Sequence, residues 1–158
     1  RVLFRSRPAT DGSAHFTGVT PDEEALENAR HRILIVDDEP GIVEVLKEAL
    51  GFSGYTIDTA YNGAVALQKI TQEAYDLVLS DLRMPDMDGE KLYHTVRRLK
   101  PDLAGRIIFL TGDTVSSNAR TFLEWTGNRW FSKPFNMAEL EEVIHNYLRP
   151  PALATMVQ

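Results

Sequence analysis

From Ile33 onward the chain alternates short apolar runs with amphipathic stretches, the texture of a βα-repeating polypeptide. The runs Ile33–Val36, Tyr55–Ala60, Leu77–Ser80, Ile107–Leu110 and Trp130–Phe131 are the strand candidates. Most are apolar almost throughout, as parallel strands covered on both faces must be. Helical periodicity fills the gaps. Ile42, Leu46, Ala49 and Leu50 share one stripe, with Gly51 as the expected stop, and Leu92, Val96 and Leu99 form another ahead of Pro101. A further helix is expected over Ala64–Glu73. The last is the most regular: Leu140, Val143, Ile144, Tyr147 and Leu148 repeat at helical spacing behind Asn136, with Glu139 three residues on as in a capping box. Val115–Trp125 is the weakest helix, because Ser116, Ser117, Asn118 and Thr121 are poor helix formers.

Five strands and five helices in strict βα order predict an α/β, doubly wound, five-stranded parallel sheet of order 2-1-3-4-5, a flavodoxin-like (βα)5 arrangement. Right-handed crossovers then place helices on both faces. The domain is expected over residues 31–149. Residues 1–30, rich in Arg, Pro, Thr, Gly and Ser, read as a flexible linker or leader in which Thr20-Pro21-Asp22-Glu23-Glu24 is able to open a short helix, and residues 150–158 read as a tail.

Composition narrows the function classes. Seventeen Lys and Arg against 23 Asp and Glu leave a net charge of −6, and no basic cluster forms a nucleic-acid footprint. With no cysteine there is neither a disulfide nor a thiolate metal site, which fits the cytoplasm. No apolar run approaches the roughly 18 residues that span a bilayer. The start at Arg1 fits either a segment of a longer polypeptide or appended residues.

In such sheets ligands bind beyond the carboxyl ends of the strands. Strand one runs into Asp37-Asp38-Glu39, strand three into Asp81, strand four into Thr111 and strand five into Lys133-Pro134. Carboxylates gathered there repel one another unless a cation joins them, and a hard divalent ion with oxygen ligands, Mg²⁺ beside a phosphate, is the natural partner. Asp81, at the end of the most buried-looking strand, is the candidate nucleophile for an acyl phosphate. Lys133 and the Thr111 hydroxyl are placed to meet phosphoryl oxygens.

The segments Ile35-Val36-Asp37-Asp38-Glu39-Pro40, Leu79-Ser80-Asp81 through Asp88-Gly89, Leu110-Thr111-Gly112 and Phe131-Ser132-Lys133-Pro134-Phe135 closely resemble the response-regulator receiver family. The spacings are 43, 30 and 22 residues from Asp38 to Asp81 to Thr111 to Lys133. The resemblance covers Arg32 to about Leu148. It implies that Asp81 accepts a phosphoryl group from a histidine kinase or its dimerisation and phosphotransfer domain. It further implies that Asp38 and Asp81 ligate Mg²⁺, that Asp37 does so directly or through water, and that the Arg83 carbonyl adds an oxygen. A cis Lys133–Pro134 peptide belongs to the same expectation.

The resemblance also assigns a switch, in which Thr111 is drawn toward the phosphate and Trp130, where Tyr or Phe is more usual, repacks the surface of the fourth helix, fifth strand and fifth helix. Arg83 and Asp113 occupy the two positions that tune phosphoryl lifetime, and pairing between them would slow hydrolysis. Further expectations are a downstream phosphotransfer protein, a homodimer through the switching face, and either a stand-alone receiver or the C-terminal piece of a hybrid histidine kinase.

Plainer readings stand beside these. Asp37, Asp38 and Glu39 also suit a helix cap, and Trp130 suits a core position as well as a switch. His15, His31, His94 and His145 show no ligand spacing and read as surface residues, while Met84 and Met87 read as packing. A haloacid-dehalogenase-type phosphatase would need an aspartate where Glu39 stands. A receiver-like module that is never phosphorylated is the other rival.

Overall fold

The computed structural model describes residues 18–112 and 116–149. Helix α1 (Pro21–Asn28) leads into strand β1 (Arg32–Val36). Then follow α2 (Pro40–Phe52), β2 (Thr56–Ala60), α3 (Gly63–Gln72), β3 (Leu77–Asp81), α4 (Gly89–Leu99), α5 (Pro101–Ala104), β4 (Ile107–Thr111), α6 (Ser117–Thr126), β5 (Trp130–Ser132) and α7 (Met137–Leu148). The strands form one parallel sheet ordered β2-β1-β3-β4-β5, as the alternation predicts.

Strand periodicity divides the core in two. Ile33, Ile35, Leu77, Leu79, Ile108 and Leu110 point to the side covered by α2 and α7, where they meet Val43, Leu46, Leu50, Leu140, Ile144 and Leu148. Leu34, Val36, Val78, Ile107 and Phe109 point to the other, under Ala66 and Ile70 of α3, Leu92, Tyr93 and Val96 of α4, and Phe122 and Leu123 of α6. Each such large apolar side chain contributes about 1.5–3 kcal/mol by leaving water. Those two apolar faces hold β1, β3 and β4 rigidly, and the polar residues at their carboxyl ends inherit that rigidity.

Several local expectations change. Gly51 lies inside α2, which continues to Phe52, and the chain turns instead at Gly54 with φ of +100°. Leu99 is 54% exposed, and Tyr93 takes its place in the core. Pro101 both ends α4 and opens the unexpected short α5, since proline suits a first helical turn. The weakly predicted helix forms as α6. The Ser116 hydroxyl accepts from the Ala119 amide, Gly127 turns left-handed at φ of 70°, and burial of Phe122 and Leu123 overrides poor propensity. Within the segment read as a linker, the short helix that Thr20-Pro21-Asp22-Glu23-Glu24 is able to open forms as α1, closed at its start by a reciprocal Thr20–Glu23 capping box. No helix among the described residues is long and apolar enough to cross a membrane.

Candidate functional site

The sheet register delivers the site. Val36 pairs with Ser80, Asp81 with Leu110 and Thr111 with Ser132, so the strands β1, β3, β4 and β5 end side by side. Asp37, Asp81 and Thr111 are buried there, and Asp38 is exposed beside them. One ligand oxygen from each of Asp37, Asp38 and Asp81 lies within 4.8 Å of the others.

Lys133 reaches this cluster because its amide donates to the Thr111 carbonyl at 2.8 Å, extending the β4–β5 ladder by one step. The Lys133–Pro134 peptide is cis. The Lys133 ammonium sits 2.7 Å from Asp37 Oδ2 and 3.5 Å from both Asp81 Oδ2 and Glu39 Oε1. One cation therefore faces three carboxylates, with Asp38 adding a fourth acid nearby.

The electrostatics follow from burial and, after it, from that ratio. Burial, then the Asp37 charge, push the Asp81 carboxyl up to about 6. Asp38 adds to the rise, while Lys133 and the Arg83 amide oppose it. Burial works to lower Lys133, yet the hydrogen bond to Asp37 and the charges of Asp81, Asp37 and Glu39 outweigh it, and the ammonium is held above its ordinary value.

The backbone around Asp81 is equally constrained. The Arg83 amide approaches Asp81 Oδ1 at 3.4 Å. At Gly89, the first residue of α4, any Cβ would collide with the Asp81 carbonyl oxygen, so only glycine lets α4 start against the end of β3. Asp86 takes a positive φ of 66° in the intervening loop, and Asp88 caps α4 by accepting from Lys91 N at 2.9 Å. The result is an open pocket of about 310 Å³ lined by Asp38, Glu39, Asp81, Arg83, Gly112 and Lys133.

Comparison with known proteins fits this geometry. Residues 33–145 match the response regulator receiver domain family. The chain belongs to the response-regulator receiver family.

Among curated proteins, the chain is similar to the transcriptional regulatory protein GlrR of Escherichia coli. The two are 33% identical over 123 residues, covering 78% of this chain and 27% of that protein. It is likewise 34% identical to the sensor histidine kinase RcsC of Salmonella typhi, over 81% of this chain and 13% of that protein. This receiver thus spans between about an eighth and a quarter of these two relatives. Among solved structures, response regulator TrrA of Thermotoga maritima, in complex with Mg²⁺ and BeF, superposes with a TM-score of 0.65 at 42% identity, over 74% of this chain and 98% of that one. The same regulator in complex with the histidine kinase ThkA gives a TM-score of 0.65 at 40% identity, over 75% of this chain and 99% of that one.

The receiver brings Asp37, Asp38, Asp81, Thr111, Lys133 and Arg83 to one end of the sheet. Trp130 lies on β5 and is 40% exposed, so the core alternative fails: the sheet edge at a three-residue strand leaves it uncovered. Asp113 lies outside the described residues. Two participants escaped the sequence reading. Glu39 stands at the N-cap position of α2 without a side-chain cap hydrogen bond, and its carboxylate is instead an ionic neighbour of Lys133; its place next to Asp37-Asp38 was the available signal. Ser116, whose hydroxyl takes a 3.3 Å hydrogen bond from Arg83 Nη2 while capping α6, gave no signal, because nothing in its spacing distinguishes it from an ordinary cap.

Proposed function

We propose that this receiver is the phosphoryl acceptor of a two-component relay, and that Asp81 is the accepting residue. An Asp81 carboxylate oxygen attacks the phosphorus of a histidine kinase phosphohistidine. A P–O bond forms, the P–N bond breaks, and its electron pair returns to the imidazole nitrogen. Lys133 and the Thr111 hydroxyl meet the phosphoryl oxygens, the first as a point charge and the second as a donor. The observation that carries this reading is the cluster of Asp37, Asp38 and Asp81 at the strand ends beside Lys133, where burial first and the Asp37 charge next raise Asp81 to about 6.

Asp37, Asp38 and Asp81, joined by the Arg83 carbonyl, would hold Mg²⁺, a hard ion suited to an all-oxygen donor set. Bound there, the ion supplies neutralisation of the phosphoryl charge. The structure of TrrA with Mg²⁺ and BeF and the ThkA complex support the metal and the kinase as partners by kinship. On this reading the module works in the cytoplasm, and its parent chain is a hybrid kinase, a reading supported by the similarity to part of the sensor histidine kinase RcsC.

Output follows from movement of Thr111 and Trp130, which alters the surface of α6, β5 and α7 for a downstream phosphotransfer protein or a second copy of the chain. The half-exposed Trp130 has room to repack, and its fluorescence changes when the site is loaded. Arg83, which lines the pocket, and Asp113 take the two positions that the family resemblance ties to phosphoryl lifetime and slow hydrolysis; Arg83→Ala shortens the phosphoryl lifetime, and a wild-type lifetime equal to or shorter than the variant's refutes the assignment.

The deciding experiment is incubation with Mg²⁺ and acetyl phosphate followed by intact-mass measurement. Wild type gains one phosphoryl group, Asp81→Asn gains none, and EDTA abolishes the gain. A phosphorylated Asp81→Asn protein would move the acceptor elsewhere.

A further inference from the structure

Helix α1 precedes the family match, which begins at residue 33, yet it is fastened to the domain. It has no apolar face to bury: Asn28 is its sole buried residue and Leu26 is 71% exposed. Polar contacts hold it instead, from two places distant in sequence. The Asn28 amide donates to the Ser53 carbonyl at 2.6 Å, and the Thr56 hydroxyl donates to the Ala29 carbonyl at 3.0 Å. Gly54 lies so close beneath that a Cβ there would come within 2.9 Å of the Ala25 carbonyl oxygen.

The other attachment is Arg149, directly after α7, whose amide closes the last turn by donating to the His145 carbonyl at 2.8 Å. Its guanidinium donates to Asn28 Oδ1 and, at 3.2 Å, to the Glu24 carbonyl. It also lies 3.7 Å from the Glu24 carboxylate and 3.8 Å from that of Glu27. Among the described residues one side chain therefore carries the hydrogen bonds and ion pairs that join α1 to the end of α7, and its Nε is buried without a hydrogen-bond partner. Hydrogen bonds and ion pairs of this kind depend steeply on position, so a shift of the α7 terminus loosens several together. An eight-residue helix is too short to persist in water alone, so undocking and unwinding of α1 coincide.

We infer that α1 is a clasp that reads the position of the last turn of α7: docking of α1 and seating of that turn are one linked equilibrium. By reciprocity, whatever displaces the α7 terminus releases α1, and whatever pulls on α1 loosens α7. Since α7 belongs to the proposed output surface, the clasp would pass that state to the chain before β1, and this last step rests on the phosphoacceptor reading.

Amide hydrogen exchange on the full chain tests the linkage. Thr20→Ala with Glu23→Ala removes the capping box at the end of α1 remote from Arg149. We expect about tenfold faster exchange in Ala25–Asn28 and about threefold in Asn146–Arg149, with β3 and β4 unchanged as the control for folding. Arg149→Met keeps the aliphatic stem and should free α1 to the same degree. A freed α1 with an unaltered α7 terminus in the first variant, or an unaltered α1 in the second, overturns the clasp.

Beryllofluoride with Mg²⁺ then tests the signalling step. Slower exchange around Asp81 with a coordinated change in α1 and α7 supports it, and slower exchange around Asp81 with α1 unchanged overturns it. No slowing around Asp81 counts against the phosphoacceptor reading itself and leaves the clasp to be judged on the two variants.

Discussion

The two ends of the sheet treat charge in opposite ways. At the amino end Arg32 lies 2.7 Å from both Asp58 and Glu73, the Tyr75 hydroxyl donates to Asp58 at 2.7 Å, and Asp76 accepts the Arg32 backbone amide at 2.8 Å. At the carboxyl end, among the described residues, the Lys133 ammonium faces Asp37, Asp81 and Glu39 together, with Asp38 beside them. The amino end shares its acids between a guanidinium, a phenol and a backbone amide, whereas the carboxyl end keeps a deficit of positive charge. Pairing of the first kind fastens β1 to its neighbours. A deficit of the second kind costs stability and is retained where a cation or an electrophile is to be received.

The sharpest way to break this comparison is to deepen the deficit. Lys133→Met removes the cation 2.7 Å from buried Asp37 and should lower stability by about 2–3 kcal/mol at pH 7. Mg²⁺ should return more of the melting temperature to this variant than it adds to wild type, because the ion replaces a missing positive centre. Equal Mg²⁺ effects in thermal melts of the two proteins would show that the carboxylates do not act as one charge cluster.

Relieving the deficit should do the reverse. Asp81 has a folded-state value of about 6, above its ordinary 3.8, so the native state holds the proton more tightly than the unfolded one. Stability contributed by protonated Asp81 is therefore present at low pH and lost as pH rises through roughly 4 to 6. In EDTA, Asp81→Asn should match wild type below that window and exceed it above. The gain is about 1–2 kcal/mol at pH 7, once access of water to the pocket is taken into account. Urea melts across that pH range measure the difference; a gap that does not grow with pH contradicts the assigned burden on Asp81.

Legibility in the sequence follows the range of the forces involved. The sheet order and the strand-end residues Asp38, Asp81, Thr111 and Lys133 could be read because alternation is local and a polar residue after an apolar strand marks its end. Gly51, Leu99 and Gly54 could not, since the end of α2 and the exposure of Leu99 depend on which neighbours cover them. Docking of α1 was hidden for a stronger reason: Asn28 and Arg149 meet across 121 residues, and both look like surface residues in isolation. Glu39 stood beside the aspartates, but its 3.5 Å approach to Lys133 depends on Lys133, just past the edge strand β5, reaching across the sheet end to the residues after β1.

The smallest effect tests the opposite pole with the same chemical change. Asp58→Asn removes one negative charge, as Asp81→Asn does, but here the charge is paired with Arg32 and accepts from Tyr75. The asparagine oxygen can still accept the Tyr75 hydroxyl, so the loss is confined to the ionic part, shared with Glu73 and screened by water at a half-exposed site. A modest fall in the urea midpoint is expected at pH 7, smaller than the rise from Asp81→Asn and shrinking as salt is added. Phosphoryl uptake should be unchanged. The opposite signs of two identical substitutions are what unequal charge sharing requires; a stabilised Asp58→Asn protein would mean that the amino end, too, carries an unrelieved excess of acid.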